Sequence, residues 1–136
     1  MATVRLIGDD EAEGLVAEVF ADIRKTRKTD FINNFWRALA ADPPLLKRTW
    51  EEVRDVMTAP GAIDPLTREM IYIAVSVANS CSYCVHSHTA AARAKGMTDA
   101  QYGELLSIVS LAGKTNHLVT ALQVPVDAAF DASRGG

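Results

Sequence analysis

The sequence predicts an all-α fold, a single compact helical domain of about six to seven helices over residues 1–136. Apolar residues recur at spacings of three and four through most of the chain, strand-like alternation is scarce, and Asp, Thr, Pro and Gly fall where helices start and stop.

The first helix is expected from about Asp10 to Lys25, on the stripe Leu15, Val16, Val19, Phe20 and Ile23. Asp30 is the expected N-cap of a second, which carries Phe31, Phe35, Trp36, Leu39 and Ala40 and ends before Asp42-Pro43-Pro44. A proline loses no needed hydrogen bond in a first turn. Pro43 or Pro44 therefore opens a third helix, continued by Leu45, Leu46, Trp50, Val53 and Val56 towards Ala59-Pro60-Gly61. Asp64-Pro65 repeats that logic for a fourth helix, in which Leu66, Met70, Ile71, Ile73, Ala74, Val75, Val77 and Ala78 cover nearly the whole circumference. A helix apolar all round must be central or lie in a subunit interface.

Asn79-Ser80 interrupts that helix, and a fifth is expected from near Cys81 to Gly96, a suitable residue just past a helix end. Thr98-Asp99-Ala100-Gln101 fits a capping box for a sixth helix through Leu105, Leu106, Ile108, Val109 and Leu111, with Gly113 its expected end. A seventh is expected from Thr115 or Asn116 through Leu118, Val119, Ala121 and Leu122, stopped by Pro125. The tail from Asp131 to Gly136 is expected to fray.

Composition narrows function. With 14 basic and 17 acidic side chains and a net charge of -3, the chain has no electrostatic footprint for nucleic acid or an anionic membrane surface. Asp9, Asp10 and Glu11 follow the first residues too soon for a secretory signal, so a cytoplasmic location is expected. The longest apolar stretch, around Ile71 to Ala78, is far short of the ~20 residues needed to cross a bilayer.

Chemistry is concentrated in Cys81-Ser82-Tyr83-Cys84-Val85-His86-Ser87-His88, which holds both cysteines and two of the three histidines. Cysteines at i and i+3 in the first turn of a helix share one face, where free N–H groups and the helix dipole favour a thiolate. A disulfide across so short a loop removes little unfolded-chain entropy, so a structural staple is a poor reading. Two other readings stay open: buried cysteines acting as small apolar side chains, and a zinc site drawing on Cys81, Cys84, His88 and His86. Against zinc, His86 points ~200° around the helix from Cys84. Against covalent haem, Val85 stands where Cys-x-x-Cys-His needs histidine.

His88 follows Cys84 by four residues, so the two form a nucleophile and base pair on one face, whereas His86 and His117 read as ordinary surface or structural residues. Glu69 is the third candidate. If the fourth and fifth helices fold back at Asn79-Ser80, Glu69 lies ~16 Å down one axis and His88 ~12 Å down the other. Burial of Glu69 beside a partner is expected to raise its pKa into a range useful for proton transfer.

Glu69, Cys81, Tyr83, Cys84 and His88 together resemble the Glu-x11-Cys-x-x-Cys-x3-His signature of the alkyl hydroperoxidase D-like branch of the carboxymuconolactone decarboxylase superfamily. The resemblance covers residues 30–125, with the helix at about 10–25 less diagnostic. It implies an alkyl hydroperoxidase D-like fold and a thiol peroxidase cycle needing no cofactor or metal. In it Cys84 attacks a hydroperoxide, Cys81 resolves the sulfenic acid as a disulfide, and His88 and Glu69 relay protons. An external dithiol of thioredoxin or lipoyl type would reopen the disulfide, and relatives assemble as trimers or hexamers. The founding members tend to have histidine between the cysteines; Tyr83 cannot serve as a base at neutral pH, but its hydroxyl can orient a sulfur or a bound oxygen. The alternatives retained are a redox-responsive interaction protein without efficient turnover and a lactone decarboxylase-like enzyme.

Overall fold

Side-chain caps set the start of four helices. Asp42 accepts from the Leu45 N–H at 3.2 Å, Asp64 from Thr67 at 2.9 Å and Thr98 from Gln101 at 3.0 Å, while the Cys81 sulfur accepts from Cys84 at 3.3 Å. The computed structural model describes residues 1–134. Over them run α1 (Gly14–Arg27), α2 (Asn34–Leu39), α3 (Pro43–Thr58), α4 (Pro65–Ala78), α5 (Ser82–Ala94) and α6 (Asp99–Ala121), with short 3-10 turns at Asp9–Glu11, Ala128–Phe130 and Ala132–Arg134. The fold is all-α: no strand occurs among the described residues, and no helix there is long and apolar enough to cross a membrane.

Three boundaries differ from the sequence reading. Asp9–Glu11 form their own 3-10 turn, and α1 begins only at Gly14, whose φ of +52° suits glycine. Asp30 does not cap α2; Asn33 holds that position, and Phe31 lies ahead of the helix, 68% exposed. The largest difference is at Gly113, which does not end a helix. The expected sixth and seventh helices are one 23-residue helix, α6, with Gly113 inside it. A mid-helix glycine costs only about 1 kcal/mol relative to alanine, too little to break a helix flanked by Leu111, Ala112 and Lys114. Of the tail expected to fray from Asp131, Ala132–Arg134 form a 3-10 turn, and Gly135 and Gly136 lie outside the described residues.

The chain divides into two compact units, Met1–Ala62 and Ile63–Gly136. In the first, Val16, Val19, Phe20 and Ile23 of α1 are buried with Ile32, Trp36, Ala40, Leu46 and Trp50. The Trp36 and Trp50 rings meet edge to face with centroids 5.4 Å apart, and Trp50 Nε1 donates to Asp22 at 2.7 Å, so the indole's polar atom is satisfied. In the second unit, α4 packs on α5 and α6 around Ile73, Ala92, Met97 and Leu105. Although α4 is apolar nearly all round, Ile71, Val75 and Val77 remain exposed.

A continuous α6 has a thermodynamic consequence at Gly113. A Cβ built there meets no atom within 4 Å, and the position is helical. Gly113→Ala is expected to stabilise the protein by about 0.4–1 kcal/mol in urea unfolding; a loss of stability would show that the helix breaks there.

Candidate active site

The link between α4 and α5 determines where the reactive residues lie. The Asn79 N–H donates to the Val75 carbonyl and the Cys81 N–H to the Ser76 carbonyl, both at 2.9 Å, and Ser80 turns the chain with φ +57°. The reversal places α5 against α4, with Cys81 as its N-cap. Cys81 and Cys84, both half-buried, are joined as a disulfide, their Cα atoms 5.3 Å apart. Tyr83, in the same first turn, is 46% exposed.

Glu69 and His88 stand at comparable distances from this turn, and they meet. The Glu69 side chain is 7% exposed and its Oε2 lies 2.7 Å from His88 Nδ1. An ionised carboxylate can only accept, so Nδ1 carries the shared hydrogen, and in a neutral ring Nε2 is the nitrogen left to accept. The Tyr72 ring stacks on the imidazole with centroids 3.6 Å apart and planes 22° from parallel, holding the ring in position from α4.

Two residues of this cluster escaped the sequence reading. Lys95 Nζ donates to Glu69 Oε1 at 3.1 Å, and Tyr72 covers His88. Helical spacing carried both signals: Lys95 follows His88 by seven residues and Tyr72 follows Glu69 by three, each on the same face as its neighbour. His86 and His117 are exposed. Among the described residues, no group of three or more His, Cys, Asp or Glu is placed to hold a metal ion.

The electrostatics of Glu69 reverse one expectation. Burial does push its carboxyl up, but the hydrogen bonds from His88 and Lys95, with the positive charge of Lys95, outweigh it and leave the group below its ordinary 4.5. Glu69 is therefore a fixed anion at neutral pH, suited to orienting His88 and to stabilising a proton on it, rather than a carboxyl poised to give one up.

An all-α fold with a Cys-x-x-Cys helix cap and a Glu–His pair in one helical hairpin points to a family class, and the chain belongs to the carboxymuconolactone decarboxylase family, which it matches over residues 44–127, more than half its length. Within that family it falls in the alkyl hydroperoxidase D-like branch. The crystal structure of the alkylhydroperoxidase AhpD core from Rhodospirillum rubrum is similar with a TM-score of 0.94 and 67% sequence identity, over 96% of this chain and 97% of that one. An uncharacterized protein of Cupriavidus necator is 32% identical over 84 residues, 62% of this chain and 74% of that protein. The (R)-2-haloacid dehalogenase of Pseudomonas putida is 26% identical over 110 residues, 78% of this chain. This chain spans only 35% of the dehalogenase's length.

A carboxyl depressed in the folded state adds stability that is present above its unfolded value and lost as pH falls through the folded one. Relative to Glu69→Gln, the wild-type protein should therefore hold a stability advantage at neutral pH that shrinks on acidification below the ordinary 4.5. Urea unfolding of both proteins across that range checks it; a pH-independent difference would show that the carboxylate charge is not what stabilises.

Proposed function

We propose that the protein is a thiol-dependent peroxidase and disulfide oxidoreductase that reduces hydroperoxides. The observation that carries the reading is the disulfide-forming Cys81–Cys84 pair at the N-terminus of α5, in the same helical hairpin as the His88–Glu69 hydrogen bond. Likeness to the alkylhydroperoxidase core supports it at the level of reaction class.

In the reduced protein the Cys84 thiolate attacks the peroxide O–O bond. An S–O bond forms, the O–O bond breaks, and the departing alkoxide takes a proton to leave as alcohol. The Cys81 thiolate then attacks the Cys84 sulfur, closing the disulfide and releasing hydroxide, which is protonated to water. The two cysteines supply the two electrons that reduce the peroxide. An external dithiol of thioredoxin or lipoyl type returns them by thiol–disulfide exchange, becoming a disulfide itself. His88 accepts the thiol proton and delivers it to the leaving oxygen, and Glu69 holds the ring and balances the imidazolium charge. Tyr83 orients the sulfur or the bound oxygen from the first turn of α5.

The protein works as a homo-oligomer, a trimer or hexamer. Ile108, Leu111 and Leu118 of α6 and its C-cap Leu122 recur at helical spacing and are each at least half exposed, from 50% at Leu118 to 72% at Leu122, which is apolar area that a second copy of the chain would bury. The site of action is the cytoplasm.

Peroxide consumption with a panel of peroxides and dithiols tests the cycle, with mass spectrometry following the disulfide as it appears and disappears. Cys84→Ser is expected to abolish turnover, and Cys81→Ser to leave a trappable sulfenic acid on Cys84 that is not resolved. Full turnover in either variant refutes the two-cysteine cycle, and a disulfide that forms once without steady consumption favours a redox switch on a partner surface. Light scattering at micromolar concentration should return a multiple of the chain mass; a monomer would refute the assembly.

A further inference from the structure

Both oxygens of the buried Glu69 carboxylate are occupied, by side chains from opposite ends of the C-terminal half of α5. His88 Nδ1 takes Oε2 at 2.7 Å and Lys95 Nζ takes Oε1 at 3.1 Å. Lys95 is itself held in place. As the C-cap of α5 its N–H donates to the Ala91 and Ala92 carbonyls, each at 3.1 Å, and Gly96 then turns the chain away with φ +97°. Its side chain is 39% exposed against 7% for Glu69, so the methylene stem carries the ammonium in from the surface to the buried oxygen.

We propose that Lys95 is a positioning residue of this site: by occupying Oε1 it reserves Oε2 for His88 Nδ1, and so leaves Nε2 as the nitrogen that exchanges protons. The proposal rests on the peroxidase reading for the reaction that His88 serves.

The need for a second donor follows from burial. With His88 alone, one carboxylate oxygen would lie desolvated without a partner, a state relieved by protonation or by rotation of the group. Protonation removes the acceptor that fixes the imidazole tautomer, and rotation makes both oxygens compete for one N–H. Lys95 prevents both. Its charge also cancels that of Glu69, so the cluster is neutral when the imidazole is neutral, the form able to accept a proton.

The other ionisable groups nearby are engaged elsewhere. On α4, Arg68 Nε donates to the Ile63 carbonyl and Tyr72 stacks on His88. Arg93 of α5 pairs with Asp99 of α6 at 2.8 Å and lies over the Tyr102 ring of α6. The side chains that hold Glu69 are Lys95 and His88.

The test is a titration of the Glu69 carboxyl by ¹³C NMR in the full chain, beside the pH dependence of peroxide consumption, for wild type, Lys95→Met and Lys95→Arg. Lys95→Met should raise the Glu69 midpoint by about one pH unit or more. The acid limb of kcat/KM should follow it upward, with roughly a tenfold loss at the limb. Lys95→Arg should restore both. Lys95→Gln, which keeps a donor and removes the charge, reports the same titration if Lys95→Met does not fold. An unmoved Glu69 midpoint in the neutral variants overturns the proposal, as does lost turnover with the acid limb in place, which would mark Lys95 as packing only. If the wild-type protein consumes no peroxide, the proposed function fails, while the carboxyl titration still decides whether Lys95 controls Glu69.

Discussion

One buried anion governs the second unit of this protein. Glu69 sits on the inward face of α4 beside Ile73 and Ser76, where an unpaired carboxylate would cost several kcal/mol. It is tolerated because α5 brings two donors to it, one for each oxygen. The pairing constrains the hairpin in turn. A slip of α5 by one residue rotates its side chains by about 100° and would withdraw His88 and Lys95 together. The ladder of donors at positions 88 and 95 thus specifies the register in a way that Ile73 and Ala92, which tolerate sliding apolar contacts, do not.

The same register places the cysteine pair. Cys81 is the N-cap because its N–H reaches back to Ser76 and its sulfur accepts from Cys84, so a soft, weak acceptor fills a position usually given to Ser, Thr, Asp or Asn. An oxygen cap would hold the helix end more firmly but could not form the Cys81–Cys84 disulfide. The local cost of a weak cap is offset by the turn hydrogen bonds from Asn79 and Cys81 and by the packing of α4 on α5 and α6. Structure and chemistry here compete for the same backbone N–H groups: those that would stabilise a developing thiolate are the groups a capping oxygen would have taken.

Much of this was legible in the sequence because it is local. Asp42, Asp64 and Thr98 cap their helices beside the proline or glutamine that marks each start, and Cys81 caps the helix that carries Cys84 and His88. The meeting of Glu69 with His88 was accessible too, since two rigid rods folding at a known turn leave few choices of height. What escaped was whatever needed a three-dimensional balance. Gly113 reads as a stop, but the penalty of one glycine is small beside the hydrogen bonds that continue on either side of it. Asp30 reads as a cap, but its carbonyl is engaged by Arg24 Nε at 2.9 Å and the helix waits for Asn33. Lys95 shares a helical face with His88, a local signal, but that its ammonium reaches the buried Glu69 rather than solvent is settled only by tertiary contact.

The direction of the Glu69 shift shows why burial alone is an incomplete guide to function. Desolvation and pairing act on the same carboxyl with opposite sign, and sequence can indicate the first from an apolar helix while leaving the second to tertiary contact. Two donors turn the balance. With them Glu69 remains an anion; without them burial alone would push its carboxyl up. The charge state of the glutamate is therefore set by residues 19 and 26 positions away in sequence, and a signature that names only the glutamate, the cysteines and the histidine omits the cation that holds its second oxygen.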